Sequence, residues 1–245
     1  MKYKIQAILF DLGDTLMYSP NPWSPIFERA GKELANALCL SGIGVDCDTF
    51  HLDFLRKLDE YYTDRDRNLI ETSTIVMLEQ LLSESGHTNL DEDLLRKALD
   101  KFYAITQQNW FLETDSIPML ASLKDHDFHL GLVSNAGDNR DVFTLVEKFG
   151  IEQYFDFILT SAACGFRKPH PRIFEMALMH WGLMPDEIAM VGDRLDADIG
   201  GAGPLGIYTI WIKRQTNKLI SPKYPTRPDA VIENLGELLP IIFNL

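Results

Sequence analysis

From about residue 116 to the end of the chain, short apolar runs alternate with helical stretches, and one more such run, Ile5 to Phe10, stands near the start. Continuous apolar runs of this length read as strands buried on both faces, and helices between them supply the crossovers of a parallel, doubly wound α/β sheet. The runs are Ile5–Phe10, Phe128–Val133, Phe157–Thr160, Ile188–Val191, Ile207–Ile212 and Ala230–Ile232. Helices are expected at Ile117–Leu123, at Val142–Phe149, from Ile173 through Leu178 to a stop at Gly182, and from Leu235. Gly200, Gly201 and Gly203 permit a further, close-packed helix.

Residues 17 to about 115 break the alternation. Ser24-Pro25 reads as an N-cap followed by proline at the first helical position, with Phe27, Ala30, Leu34 and Leu38 at helical spacing. Asp48 can cap a second helix carrying Leu55, Leu58 and Tyr62. A third runs from about Thr72, with Ile75, Leu78 and Leu82 on one face, and stops at Gly86; Asp91 can cap a fourth with Leu94, Leu95, Ala98, Leu99 and Phe102. Four amphipathic helices joined by short polar loops make a small antiparallel bundle. Trp23, Phe27, Phe54, Tyr61, Tyr62, Phe102 and Tyr103 read mainly as bundle core, with the lining of a substrate pocket as the alternative. The run Asp64-Arg65-Asp66-Arg67 reads as a solvated turn.

Composition limits the partners. The 245 residues are 46% apolar and 24% charged, enough to bury a real core. A net charge of −13 disfavours nucleic acid and anionic membranes, which attract basic surfaces, and an anionic substrate would need a local cation. No stretch approaches the ~20 apolar residues of a membrane span. The apolar run after Lys2 and Lys4 breaks at Asp11, too early for a signal peptide. Cys39, Cys47 and Cys164 show no metal-site spacing and read as reduced thiols of a cytoplasmic protein. Oligomeric state is not legible.

The chemistry-bearing residues stand where strands end. Ile5–Phe10 ends on Asp11, the second strand on Ser134-Asn135 and the fourth on Gly192-Asp193, while Lys168 opens the helix after the third. A parallel sheet delivers all of them to its carboxyl edge, where ligands of open α/β sheets bind. Asp11 taken alone reads equally well as a turn-capping residue. Together, two carboxylates, a hydroxyl, backbone amides and a lysine are what magnesium-assisted phosphoryl transfer requires. Ser134 and the amide of Asn135 can bind phosphate oxygens, Lys168 can add a charge-assisted bond, and Asp11 can attack phosphorus.

Four segments in this order, Phe10-Asp11-Leu12-Gly13-Asp14-Thr15-Leu16, Val133-Ser134-Asn135, Arg167-Lys168-Pro169 and Val191-Gly192-Asp193 through Asp198, resemble the haloacid dehalogenase-like hydrolases, mostly Mg²⁺-dependent phosphatases. The resemblance implies a Rossmann-like core of residues 1–16 and 116–245. It also implies an inserted all-α cap domain of residues 17–115, matched by position and helicity. It implies that Asp11 is nucleophile and Mg²⁺ ligand, Ser134 a phosphate ligand and Lys168 the residue that steadies nucleophile and phosphate. Asp193 becomes the second carboxylate ligand and Asp198 a support of the metal through water. The substrate is then a small phosphorylated metabolite. Arg194 and Asp196 match no fixed position and read as solvated loop charge, and His170 reads as a helix-start histidine.

Where the family reads Asp-x-Asp-Gly-Thr, this chain has Gly13 and then Asp14. The Gly13 carbonyl can still meet a metal, but the carboxylate that would transfer protons is missing, a group typically contributing about 10²–10⁴-fold. Three readings stay open, in this order: Asp14 substitutes; turnover is slow or confined to good leaving groups; or the chain is a silent phosphate-ligand or protein-binding module. Carbon–halogen hydrolysis ranks lower, because that reaction has no use for Asp193 and Asp198.

Overall fold

The computed structural model describes residues 4–214 and 227–245, so Lys2 lies outside it. The chain divides into two compact units, one formed by Met1–Tyr18 with Leu112–Leu245 and one by Ser19–Phe111. Among the described residues, no helix is long and apolar enough to cross a membrane.

The first unit contains β1 (Ala7–Phe10), β2 (Met17–Tyr18), β3 (Phe111–Leu112, with its first residue outside the unit), β4 (His129–Ser134), β5 (Phe157–Thr160), β6 (Ile188–Gly192), β7 (Tyr208–Ile212) and β8 (Ala230–Ile232). Six of them form one sheet in the order β5-β4-β1-β6-β7-β8, and β2 and β3 pair as a separate ribbon. Every pair in the large sheet is parallel, with Phe10 level with Leu132 on one side and Val191 on the other. Connections pass from β1 outward to β4 and β5, then return to β6 on the other side of β1, so β1 stands at the switch point. All four residues of β1 are buried, as the apolar run requires of a central strand. Ala7, Leu9, Val133, Ile173, Phe174, Ile188 and Met190 pack into one core cluster on this sheet. Gly201 makes the expected close approach, since a Cβ there would strike Phe174 and the Pro169 backbone. Its surroundings are a π-helical turn, Leu195–Ile199, then Gly200–Ala202 and a 3₁₀ turn, Gly203–Leu205, rather than one regular helix.

The second unit holds four helices, α1 (Trp23–Leu40), α2 (Phe50–Asn68), α3 (Thr74–Glu84) and α4 (Glu92–Thr106). Leu34, Leu38, Phe54, Leu78, Leu82, Leu99 and Phe102 form their common core, and Phe27, Tyr61 and Tyr103 pack against it partly buried. Burying a side chain of this size contributes about 1.5–3 kcal/mol, so the apolar stripes account for the bundle. Asp91 caps α4 as expected, accepting from Asp93 N–H, and Gly86 beyond α3 has φ +89°, a conformation glycine adopts without strain.

Four expectations for this unit are corrected. The run Asp64-Arg65-Asp66-Arg67 is not a turn but the last part of α2, which continues to Asn68. Ser24 does not cap α1; the helix starts two residues earlier than expected, at Trp23 after Pro22, and Pro25 falls within the first turn, where its missing N–H costs nothing. Asp48 does not cap α2; the Asp46 carboxylate accepts from the Asp48 and Thr49 amides instead, because the turn ahead of the helix folds back on Asp46. Cys39 and Cys47 are joined in a disulfide. The turn after α1, with Gly42 at φ +82°, brings their Cα atoms to 6.1 Å, a separation a disulfide spans. They are therefore not reduced thiols and say nothing for a reducing compartment; Cys164 keeps its thiol, which donates to the Phe166 carbonyl.

Candidate active site

At the carboxyl edge of the sheet, Asp11 follows β1 and stays in register with β6, its N–H donating to Val191 O at 2.9 Å. Ser134 is the last residue of β4, buried beside it, and Asp193 follows β6. Lys168 reaches the same place from the turn ahead of the helix Pro171–Met179. Its Nζ lies 2.7 Å from Asp11 Oδ1, 2.7 Å from the Val133 carbonyl and 2.6 Å from Asp198 Oδ1. Two of its N–H bonds are donated, to Asp11 Oδ1 and to the Val133 carbonyl, and with Asp198 it forms an ion pair. Burial opposes the charge of Lys168, but Asp11 and Asp198 outweigh it and raise its pKa.

Oxygens of Asp11, Asp193 and Asp198 lie within 4.8 Å of one another. The Asp198 side chain is buried, and its Oδ2 accepts from Arg194 N–H at 3.0 Å. Gly192 makes room for it, since a Cβ there would collide with the carboxylate. Burial, then the charges of Asp11 and Asp198, raise the pKa of Asp193 well above the carboxylate range. Burial also raises Asp198, against the pull of Lys168. Asp14 sits beside Gly13 in the left-handed region, at φ 54°. Burial, reinforced by Asp11 and Glu113, pushes its pKa up to about 6.

Whether Mg²⁺ suits these residues follows from their chemistry. The donors are hard carboxylate oxygens, the type that Mg²⁺ selects. Asp11, Asp14, Asp193 and Asp198 stand together with Lys168 and Arg194 beside them, and a divalent cation would offset both the burial and the like-charge repulsion that raise the Asp193 pKa. The residues fit the ion.

The structure thus brings together Asp11, Lys168, Asp193 and Asp198, with Ser134 at the same edge and Asp14 in the loop that follows Asp11. The Asn135 side chain turns to Lys168: its Nδ2 donates to the Lys168 carbonyl at 2.9 Å, and its Oδ1 accepts from the Lys168 N–H at 2.8 Å. His170 stands at the helix start, its Nδ1 accepting from Arg172 N–H. Arg194 and Asp196 are half-buried and pair with each other through two bonds, at 3.0 and 2.6 Å, rather than standing free in solvent. Sequence reasoning missed several supports. Trp211 Nε1 donates to the Asp193 carbonyl at 2.8 Å. Arg214 binds Asp115 through two bonds and reaches the Thr15 carbonyl at 2.9 Å, fixing the loop that carries Asp14. A tryptophan in an apolar strand such as β7 reads only as packing, and nothing in the sequence marks Arg214 as a partner of residue 15.

A central strand ending on a carboxylate at the switch point of a doubly wound sheet, beside a buried lysine and two more carboxylates, is the centre of a carboxylate-based enzyme on a Rossmann-like core. The chain belongs to the haloacid dehalogenase-like hydrolases, whose family pattern matches residues 47–212. It is 27% identical over 239 residues to the glyceraldehyde 3-phosphate phosphatase of Pyrococcus furiosus, covering 98% of this chain and 93% of that one. To the glyceraldehyde 3-phosphate phosphatase of Methanopyrus kandleri it is 28% identical over 244 residues, covering 98% of each. Among solved structures it is similar to a 2-haloacid dehalogenase from Pseudomonas syringae, with a TM-score of 0.68, 26% identity and 98% of both chains covered. A HAD phosphatase from Thermococcus onnurineus shares the fold, with a TM-score of 0.64, 24% identity, and 97% of this chain and 98% of that one covered.

Proposed function

We propose that this hydrolase is a Mg²⁺-dependent phosphatase of a small phosphorylated metabolite, working through an aspartyl-phosphate on Asp11. The observation that carries this reading is the placement of Asp11 Oδ1 2.7 Å from Lys168 Nζ, inside a carboxylate cluster with Asp193 and Asp198. Asp11, Asp193, Asp198 and the Gly13 carbonyl would hold Mg²⁺, which when bound supplies positive charge to the phosphate oxygens. Ser134 and the backbone N–H of Asn135 donate to those oxygens, and Lys168 holds Asp11 in place through its 2.7 Å bond.

An oxygen of Asp11 attacks phosphorus, and the phosphorus–oxygen bond to the leaving group breaks with its electron pair going to that oxygen. Asp14, whose raised pKa lets it hold a proton near neutrality, supplies that proton in place of the carboxylate missing at Gly13. Water then attacks phosphorus and gives up a proton to Asp14, the Asp11–phosphorus bond breaks, and phosphate leaves. The helical insertion, residues 17–115 on the sequence reading, acts as the cap that selects the substrate. The names of the Pyrococcus and Methanopyrus relatives support a small phosphorylated metabolite. A cytoplasmic setting belongs to the same reading and rests on that substrate class.

Turnover of p-nitrophenyl phosphate with Mg²⁺ and with a chelator tests the proposal; turnover that ignores the chelator contradicts it. A second reading, carbon–halogen hydrolysis, is favoured by Gly13 and by the likeness to the Pseudomonas syringae dehalogenase. Halide release from 2-chloropropionate without added metal, and no phosphate release, would establish it instead.

A further inference from the structure

We infer that Asn135 is a positioning residue that works through Lys168, and not a side-chain ligand of phosphate; the inference rests on the phosphatase reading above. Asn135 follows Ser134 at the end of β4, where a polar pair would be expected to reach for the substrate together. Its side chain is committed elsewhere. One bond runs from Asn135 Nδ2 to the Lys168 carbonyl and one from the Lys168 N–H to Asn135 Oδ1, at 2.9 and 2.8 Å. Two bonds of opposite sense to a single residue's backbone fix both its distance and its rotation, which one bond cannot do. They also fix the amide's own orientation, because a flipped amide would set N–H against N–H and oxygen against oxygen.

The clamp matters because Lys168 lies in a turn, outside the ladders and helices that hold other backbone segments. The tip of the same side chain is held by Val133, two residues before Asn135, and by Asp11 and Asp198. The end of β4 therefore locates Lys168 at both extremities: Asn135 sets the backbone and Val133 O receives the ammonium. The distance from Lys168 Nζ to the attacking carboxylate is set from that strand end. Without the clamp, an ammonium hydrogen-bonded to Asp11 and the Val133 carbonyl and paired with Asp198 would carry Asp11 with it as the turn shifts. A displacement of about 1 Å at a reacting group can cost on the order of 10²-fold in rate.

The test compares wild type with Asn135→Ala, and with Asn135→Asp, which keeps the acceptor for the Lys168 N–H but loses the donor. For Asn135→Ala, kcat for p-nitrophenyl phosphate at saturating Mg²⁺ should fall about 10- to 100-fold. The inhibition constant of inorganic phosphate should stay within about threefold, and Asn135→Asp should fall between the two. A rise in the phosphate inhibition constant that matches or exceeds the loss of kcat would make Asn135 a phosphate ligand and overturn the inference. So would unchanged kinetics. A readout independent of turnover is amide exchange of Lys168 by NMR, without substrate or metal, which should speed up at least tenfold in Asn135→Ala; unchanged exchange means no clamp. Should Asn135→Ala fail to fold, Asn135→Leu, which is close in volume and keeps neither bond, carries both measurements. Wild type inactive on every phosphate ester would sink the phosphatase reading, and the exchange experiment would still judge the clamp.

Discussion

Lys168 Nζ and Asp11 Oδ1 meet at 2.7 Å, with 2% of one side chain and 12% of the other exposed. A pair this sheltered is costly to break by removing one member, because the other charge remains buried; such changes cost about 3–5 kcal/mol. Lys168→Met should therefore lower stability by an amount in that range and reduce kcat by on the order of 10²-fold or more. Urea unfolding and steady-state kinetics on the same variant check both. Wild-type activity in a folded Lys168→Met protein would remove Lys168 from the chemistry.

The reason this pair could be anticipated, and its supports could not, is physical. Buried parallel strands must be apolar throughout, so β1, β4, β5 and β6 stand out as runs, and a polar residue ending such a run lies at the sheet edge wherever the run lies in the chain. Asp11, Ser134 and Asp193 were legible for that reason. The clamp of Asn135 on Lys168 joins residues 33 apart, and Arg214 reaches Thr15 across 199. Such pairings depend on how crossovers bring loops together, and no local pattern encodes that. Helix starts were legible where the capping carboxylate is adjacent, as at Asp91. They were misread at Asp48, where Asp46 two residues earlier takes the amides, and the Cys39–Cys47 bond depends on the turn at Gly42.

The bond from Trp211 Nε1 to the Asp193 carbonyl gives a second prediction. Phenylalanine keeps the ring and loses the donor, and one such hydrogen bond is worth about 0.5–1.5 kcal/mol. Trp211→Phe should weaken Mg²⁺ binding by about 2- to 12-fold in calorimetry, whereas Asp193→Asn should abolish it together with the thermal stabilisation that Mg²⁺ confers. Full Mg²⁺ affinity in Asp193→Asn would place the ion elsewhere.

Asp14 is tested by choice of leaving group. An alkyl phosphate needs its departing oxygen protonated, whereas p-nitrophenolate leaves with little help, so Asp14→Asn should lose at least tenfold more kcat/KM on the alkyl ester. Equal losses on the two esters would remove Asp14 from proton transfer.

The Asp115–Arg214 pair predicts an acid limit. Burial works to raise the Asp115 pKa, but the Arg214 bonds and the Leu235 N–H outweigh it and hold the carboxyl below its usual value. A depressed folded-state pKa contributes stability that is present above the unfolded value, about 3.9, and lost as pH falls through the folded value. Asp115→Asn should thus unfold at lower urea than wild type at pH 7, and the difference should shrink below pH 4. A gap that stays constant between pH 7 and pH 3 would show that the pair contributes no pH-dependent stability.

The most direct test of the account is to quench the enzyme with acid during turnover of a phosphate ester in Mg²⁺ and locate any added phosphoryl group by mass spectrometry. The account predicts one phosphoryl group on the peptide containing Asp11, assigned to its carboxylate and missing in an Asp11→Asn variant that folds but does not turn over. A phosphoryl group on another residue, or undiminished turnover by Asp11→Asn, would contradict it.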